Sequence, residues 1–123
     1  MVESTIRKIE GPVDRYKGME VIDLSSLEDT EEAFEKQLIY NIELWKKDEI
    51  RSIQIQFRPP KCNLMNVAFK HGFYFHHANK GEGYVLMCLW LDPTVGDRIP
   101  SYADHYIGVG GLCINQKDEI LMI

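Results

Sequence analysis

"DTEEAFEKQLIYNIELWKKDEIRSIQIQF", Asp29 to Phe57, changes its hydrophobic period once, and that change decides the fold class. In the first part Ala33/Phe34, Leu38, Asn41/Ile42 and Trp45 recur at steps of three and four, a single apolar stripe along a long helix. Asp29 followed three residues later by Glu32 has the pattern of a capping box, which supplies acceptors to the free N–H groups of a helix start. Acidic side chains crowd the first turn and Lys46-Lys47 the last, both matching the helix dipole. After Arg51 the period drops to two. Ile53, Ile55 and Phe57 fall on one face and Ser52, Gln54 and Gln56 on the other, the signature of a half-exposed strand. Pro59-Pro60 ends it, because proline donates nothing to a ladder. A long helix leading directly into a strand predicts an α/β (α+β) domain.

Working outward, "MEVIDL" (Met19–Leu24) reads as a short strand, and the polar stretch before it, holding Gly11-Pro12, as a flexible arm over residues 1–13. "NLMNVAFKHG" (Asn63–Gly72) is a short helix with Leu64, Val67/Ala68 and His71 on one side and Gly72 as its stop. "FYFHHA" (Phe73–Ala78) is a strand, Asn79–Gly83 a turn, and "YVLMCLWL" (Tyr84–Leu91) an apolar strand that requires cover on both faces. A polar, proline-containing linker, Asp92–His105, precedes a strand, a turn and a final strand within "SYADHYIGVGGLCINQKDEILMI" (Ser101–Ile123). The order β-α-β-α-β-β, linker, β-turn-β predicts a mixed sheet with two helices and then a separate strand pair.

At 123 residues, 45% hydrophobic and 27% charged, the chain has the size and composition of one globular domain. A net charge of −5 without a Lys/Arg block disfavours nucleic acid and anionic membrane as partners. Cys62, Cys88 and Cys113 form no C-x-x-C pair, which fits reduced thiols and a cytoplasmic setting, with nuclear or mitochondrial as the alternatives.

Several side-chain groups invite chemistry. His76 and His77 are neighbours in a strand, so alternation sends them to opposite faces and they do not chelate one ion together. His71 and His105 stand alone, with no carboxylate pattern beside them. Cys88 sits in an apolar strand, where burial raises a thiol pKa and makes a poor nucleophile. Asn79–Gly83 has glycines but runs into a strand instead of opening a helix, so it reads as a hairpin turn and not a phosphate loop. Gly108–Gly111 meets the same objection. Glu28, Glu31, Glu32 and Glu35 share a helix face, where they could bind a divalent cation; the plainer reading is a solvated acidic first turn. No residue is assigned a catalytic, cofactor-binding or metal-binding role.

Four stretches carry a family resemblance: Leu44-Trp45, Ala68 through "GFYFHHA" (Gly72–Ala78), "LWL" (Leu89–Leu91) and "RIPSYADHYIGVGG" (Arg98–Gly111). The segment from Arg98 resembles the opening of a Nudix hydrolase domain. The part before it resembles the pre-Nudix domain of one Nudix subfamily that includes plant members, and the likeness spans roughly residues 14 to 123. The resemblance implies a pre-Nudix domain over 14–97 with an acetyltransferase-like fold, and a linker plus the first two strands of an incomplete Nudix domain over 98–123. It implies a parent that hydrolyses nucleoside diphosphate-linked compounds such as ADP-ribose or NADH with Mg²⁺ or Mn²⁺.

The family's catalytic element, G-x5-E-x7-R-E-x-x-E-E-x-G, does not occur in this sequence. Glu28-x-x-Glu31-Glu32 imitates it but has Leu27 in place of the arginine and Phe34 in place of the glycine. The coenzyme A loop of acetyltransferases, R/Q-x-x-G-x-G/A, does not occur either. The expected role is therefore non-catalytic, partnered by the downstream Nudix domain and by a second copy in a homodimer, serving dimerisation or the shape of the substrate entrance. The alternative is a stand-alone module that binds acyl-CoA, another small molecule or a protein.

Overall fold

The computed structural model describes residues 5–101, 112–114 and 120–122. Strand β1 (Gly18–Val21) leads through a 3-10 turn at Leu24–Ser26 into helix α1 (Glu31–Lys47), which returns to β2 (Ser52–Phe57). A second 3-10 turn, Cys62–Leu64, opens α2 (Met65–Lys70), followed by the hairpin β3 (Tyr74–Asn79) and β4 (Tyr84–Trp90). The sheet order is β1-β2-β4-β3. Only the β1–β2 pairing is parallel, joined by the α1 crossover; β4 runs antiparallel to both its neighbours. This is the mixed α+β sheet with two helices expected from the change of period. Leu112–Ile114 (β5) pairs antiparallel with Ile120–Met122 (β6), the strand pair expected after the linker.

The helical stripe is buried as predicted at Phe34, Leu38, Asn41 and Trp45. The cap differs from expectation by one residue. Thr30, not Asp29, is the N-cap, and its hydroxyl accepts from the Ala33 N–H. Register explains the core. Met19 and Val21 align with Ile53 and Ile55, which in turn face Leu89 and Met87, so one sheet face is continuously apolar beneath the helices. Phe34 meets Phe57 edge to face, with centroids 6.3 Å apart. Leu86 and Cys88 point the other way and are buried too, so β4 is covered on both faces as its composition required. Gly72 closes α2 at φ +100, a conformation open to glycine at little cost.

Residues 5–13, read in sequence as a loose arm, lie against α1. Ile9 is only 3% exposed and belongs to the core. Its N–H donates to Asn41 Oδ1 at 2.9 Å, while Asn41 Nδ2 and Gln37 Nε2 both donate to the Arg7 carbonyl, at 3.1 and 3.2 Å. Gln37 also takes the Glu28 N–H at 3.0 Å and donates to the Ser26 carbonyl at 2.7 Å. Val13 bridges to Met19, and Gly11 leaves no room for a Cβ against the Glu20 carbonyl. Hydrophobic periodicity carries no sign of this arm's attachment, because two buried amides do the holding.

Asn41→Ala is expected to leave the Ile9 N–H buried without an acceptor, a loss of about 1–3 kcal/mol. Urea unfolding should show that drop, and limited trypsin digestion should cut faster at Arg7 and Lys8 than in the parent chain.

Candidate functional site

The sheet face turned away from the helices carries the polar and aromatic side chains. Tyr74 stands opposite Cys88 and Gln54 on the same register line, and His77 opposite Leu86, beside Gln56. Strict alternation fails in β3: Phe75 aligns with Met87 and His77 with Leu86, so His76 is an extra residue in a β-bulge. That bulge overturns the expectation that the two histidines diverge. Their Nδ1 atoms lie 2.7 Å apart, with rings at 69° and centroids 5.0 Å apart. His76 Nε2 is 2.6 Å from the Pro100 carbonyl, and His77 Nε2 is 3.4 Å from the Tyr84 hydroxyl.

The proton positions follow from the partners. A carbonyl only accepts, so His76 Nε2 carries hydrogen and donates to Pro100. In the neutral pair His76 Nδ1 then accepts from His77 Nδ1–H, and His77 Nε2 accepts from Tyr84. The Arg58 guanidinium lies 5.1 Å from the Tyr84 ring centroid and bonds Gln56, closing that end of the face.

The same face holds the 92–100 segment. Trp90 Nε1 donates to the Asp92 and Val95 carbonyls, both at 3.0 Å. Asp92 takes Arg51 Nε at 2.9 Å and the Thr94 hydroxyl at 2.6 Å, contacts that hold its carboxyl below the usual range, Thr94 contributing most. Burial, then a hydrogen bond to Asp97, raises the Tyr74 phenol. Burial and the nearby Asp97 charge push the Cys88 thiol up to about 12, so it is no nucleophile at neutral pH, as the apolar strand implied.

The remaining sequence candidates separate. His71, read as solitary, lies 2.9 Å from Glu35 Oε2, which Lys70 also meets at 2.8 Å. Lys70 first and His71 second draw the Glu35 carboxyl below its ordinary value. Glu28 pairs with Arg7 Nε at 2.9 Å, and Glu31 and Glu32 occupy the first turn of α1. The four glutamates thus do not converge, and among the described residues no group of three or more His, Cys, Asp or Glu side chains could hold a metal ion. A Mg²⁺ or Mn²⁺ centre of the Nudix type therefore does not fit these residues. Asn79–Gly83 forms the expected hairpin turn, with Asn79 Oδ1 accepting from Glu82 N–H at 2.9 Å. His105 and Gly108–Gly111 lie outside the described residues.

A cleft of about 730 Å³ at one end of the sheet is lined by Lys17, Lys46 and Arg51 above apolar Ile50, Leu91 and Pro93. Among the described residues no helix is long and apolar enough to cross a membrane.

Burial, then the neighbouring His76, lowers the His77 pKa below its ordinary value. The native state therefore favours the neutral ring. Its contribution is complete above about pH 6.5, the unfolded value, and is lost as pH falls through the lower folded value. Between about pH 7.5 and about pH 5 the urea midpoint should fall further in the parent chain than in His77→Gln.

Residues 9–91 match the model of the Nudix hydrolase domain. The chain is 30% identical to Nudix hydrolase 8 of Arabidopsis thaliana over 89% of its own length and 29% of that protein's. It is 31% identical to Nudix hydrolase 5 of the same plant, over 96% of this chain and 38% of the relative. It is 25% identical to the human nucleoside diphosphate-linked moiety X motif 6, over 94% of this chain and 36% of the relative. The chain thus spans between a quarter and two fifths of the length of these relatives. The matched residues run from the buried Ile9 to the end of the β3–β4 hairpin, so that the α+β unit itself carries the match, and the chain belongs to the Nudix hydrolase domain family.

Proposed function

We propose that this chain is a non-catalytic pre-Nudix unit of a Nudix hydrolase, with an acetyltransferase-like α+β fold over residues 14–97. One observation carries the reading. The family match falls on residues 9–91, while the R-E-x-x-E-E run that holds catalytic metal in this family occurs nowhere in the 123 residues. The scattering of Glu28, Glu31, Glu32 and Glu35 supports it further, since no described carboxylate cluster replaces the box.

The parent reaction would be hydrolysis of a nucleoside diphosphate-linked compound such as ADP-ribose or NADH, with Mg²⁺ or Mn²⁺ bound by the downstream Nudix domain. There the metal supplies charge neutralisation at the pyrophosphate and an activated water. This unit would serve as a dimerisation element or would shape the entrance to the neighbouring site. Its candidate docking face is the outer face of the sheet, where Trp90 and His76 already hold the 92–100 segment.

Incubated with ADP-ribose or NADH and Mg²⁺, this chain is expected to release no AMP by anion-exchange chromatography. Turnover that survives rechromatography of the protein would defeat the reading. Sedimentation velocity separates the two roles: a dimerisation element shows a concentration-dependent rise in sedimentation coefficient, and an entrance element sediments as a monomer throughout.

A further inference from the structure

We propose that His76 and His77 form a two-imidazole site for a borderline transition-metal cation of the Zn²⁺ or Ni²⁺ class. The nearest alternative is a purely structural hydrogen bond, and three observations favour a ligand site. The β-bulge places two adjacent residues so that the same ring nitrogen of each, Nδ1, faces the other at 2.7 Å. Two nitrogens at about 2.1 Å from one ion stand about 3.0 Å apart in the right-angled geometry of octahedral Ni²⁺ and about 3.4 Å apart in tetrahedral Zn²⁺, so an opening of the pair by less than about 1 Å admits a cation. The opposite nitrogens are already anchored on oxygen, His76 Nε2 on the Pro100 carbonyl and His77 Nε2 beside the Tyr84 hydroxyl. Metal-binding histidines are characteristically oriented in this way, with the second ring N–H donated to a carbonyl or hydroxyl. Imidazole nitrogen is also the ligand type that suits Zn²⁺ and Ni²⁺, whereas Mg²⁺ prefers oxygen.

The proton balance closes. In the neutral pair one hydrogen lies between the two Nδ1 atoms. On metal binding it leaves His77 Nδ1 and appears on His77 Nε2, from which it donates to the Tyr84 oxygen. His76 keeps its Nε2–H on Pro100. Both rings remain neutral, both Nδ1 lone pairs face the cation, and no net proton is released at neutral pH. Water completes the coordination. This site uses nitrogen ligands on the outer sheet face and is distinct from the metal chemistry proposed for the parent's Nudix domain.

The test is titration of this chain with ZnCl₂ and, separately, NiCl₂, read by calorimetry and by ¹⁵N-histidine ring NMR. One equivalent should bind, with the coordination shift on Nδ1 of both His76 and His77. His76→Gln and His77→Gln should each abolish that binding. Tyr84→Phe, which spares the ligand atoms, should weaken it by about tenfold. Unchanged affinity in the histidine variants would place the ion on thiols such as half-buried Cys62 and overturn the proposal. A shift on Nε2, or no binding by the parent chain at millimolar zinc, would overturn it as well. Should the variants fail to fold by circular dichroism, the nitrogen-resolved shift in the parent chain decides alone.

Discussion

Two buried amides on one face of α1 hold three parts of the chain together. Gln37 and Asn41 are each only 1% exposed, and between them they bond the backbone at Arg7, Ile9, Ser26 and Glu28, with one further bond inside the helix. A buried amide left unpaired is strongly unfavourable, but here both donors and the acceptor of each side chain are used. Among the described residues no buried side-chain nitrogen or oxygen lacks a partner. The placement of Ile9 in the core and the closure of the segment before α1 follow from this pair. Leucine at position 41 would fill the space and leave the Ile9 N–H without an acceptor, and leucine at position 37 would do the same to the Glu28 N–H and the Ser26 carbonyl.

The layer beneath is simpler. Alternate residues of β1, β2 and β4 form one apolar sheet face, and the antiparallel β2–β4 pairing aligns Ile53 with Leu89 and Ile55 with Met87. The outer face is mixed in character. Gln54, Gln56, Tyr74, His77, Tyr84 and Trp90 lie there with buried Leu86 and Cys88, and the 92–100 segment is bonded over part of it. A polar composition thus led the sequence to read Asp92–His105 as a linker, while the described part of it is fastened by side chains of the sheet.

Much of the fold was legible in the chain's periodicities. The step from three-and-four spacing to alternation located α1 and β2, the unbroken apolar run located β4, and Gly72 marked the end of α2. These signals are local, and each reflects burial of apolar area. What escaped was non-local or polar. Thr30 took the cap from Asp29 because the choice depends on where the chain enters the helix. His71 met Glu35 across 36 positions of sequence, a distance no spacing rule spans. The histidine pair was misread because alternation assumes a regular ladder, and no glycine or proline in "FYFHHA" signals the interruption. The family likeness came from short strings around the same strands, which the match over residues 9–91 bears out at the level of the Nudix family.

The bulge in β3 gives that strand an uneven tolerance to changes in length. Removing one residue elsewhere in a paired strand turns everything beyond it inside out, exchanging core side chains for outer ones. Removing His76 would do the opposite. Phe75 would keep its place opposite Met87 and His77 its place opposite Leu86, and the ladder would become regular. The one position where β3 can shorten without inverting a face is therefore occupied by half of the histidine pair, so a shortened strand would keep the sheet and lose the pair.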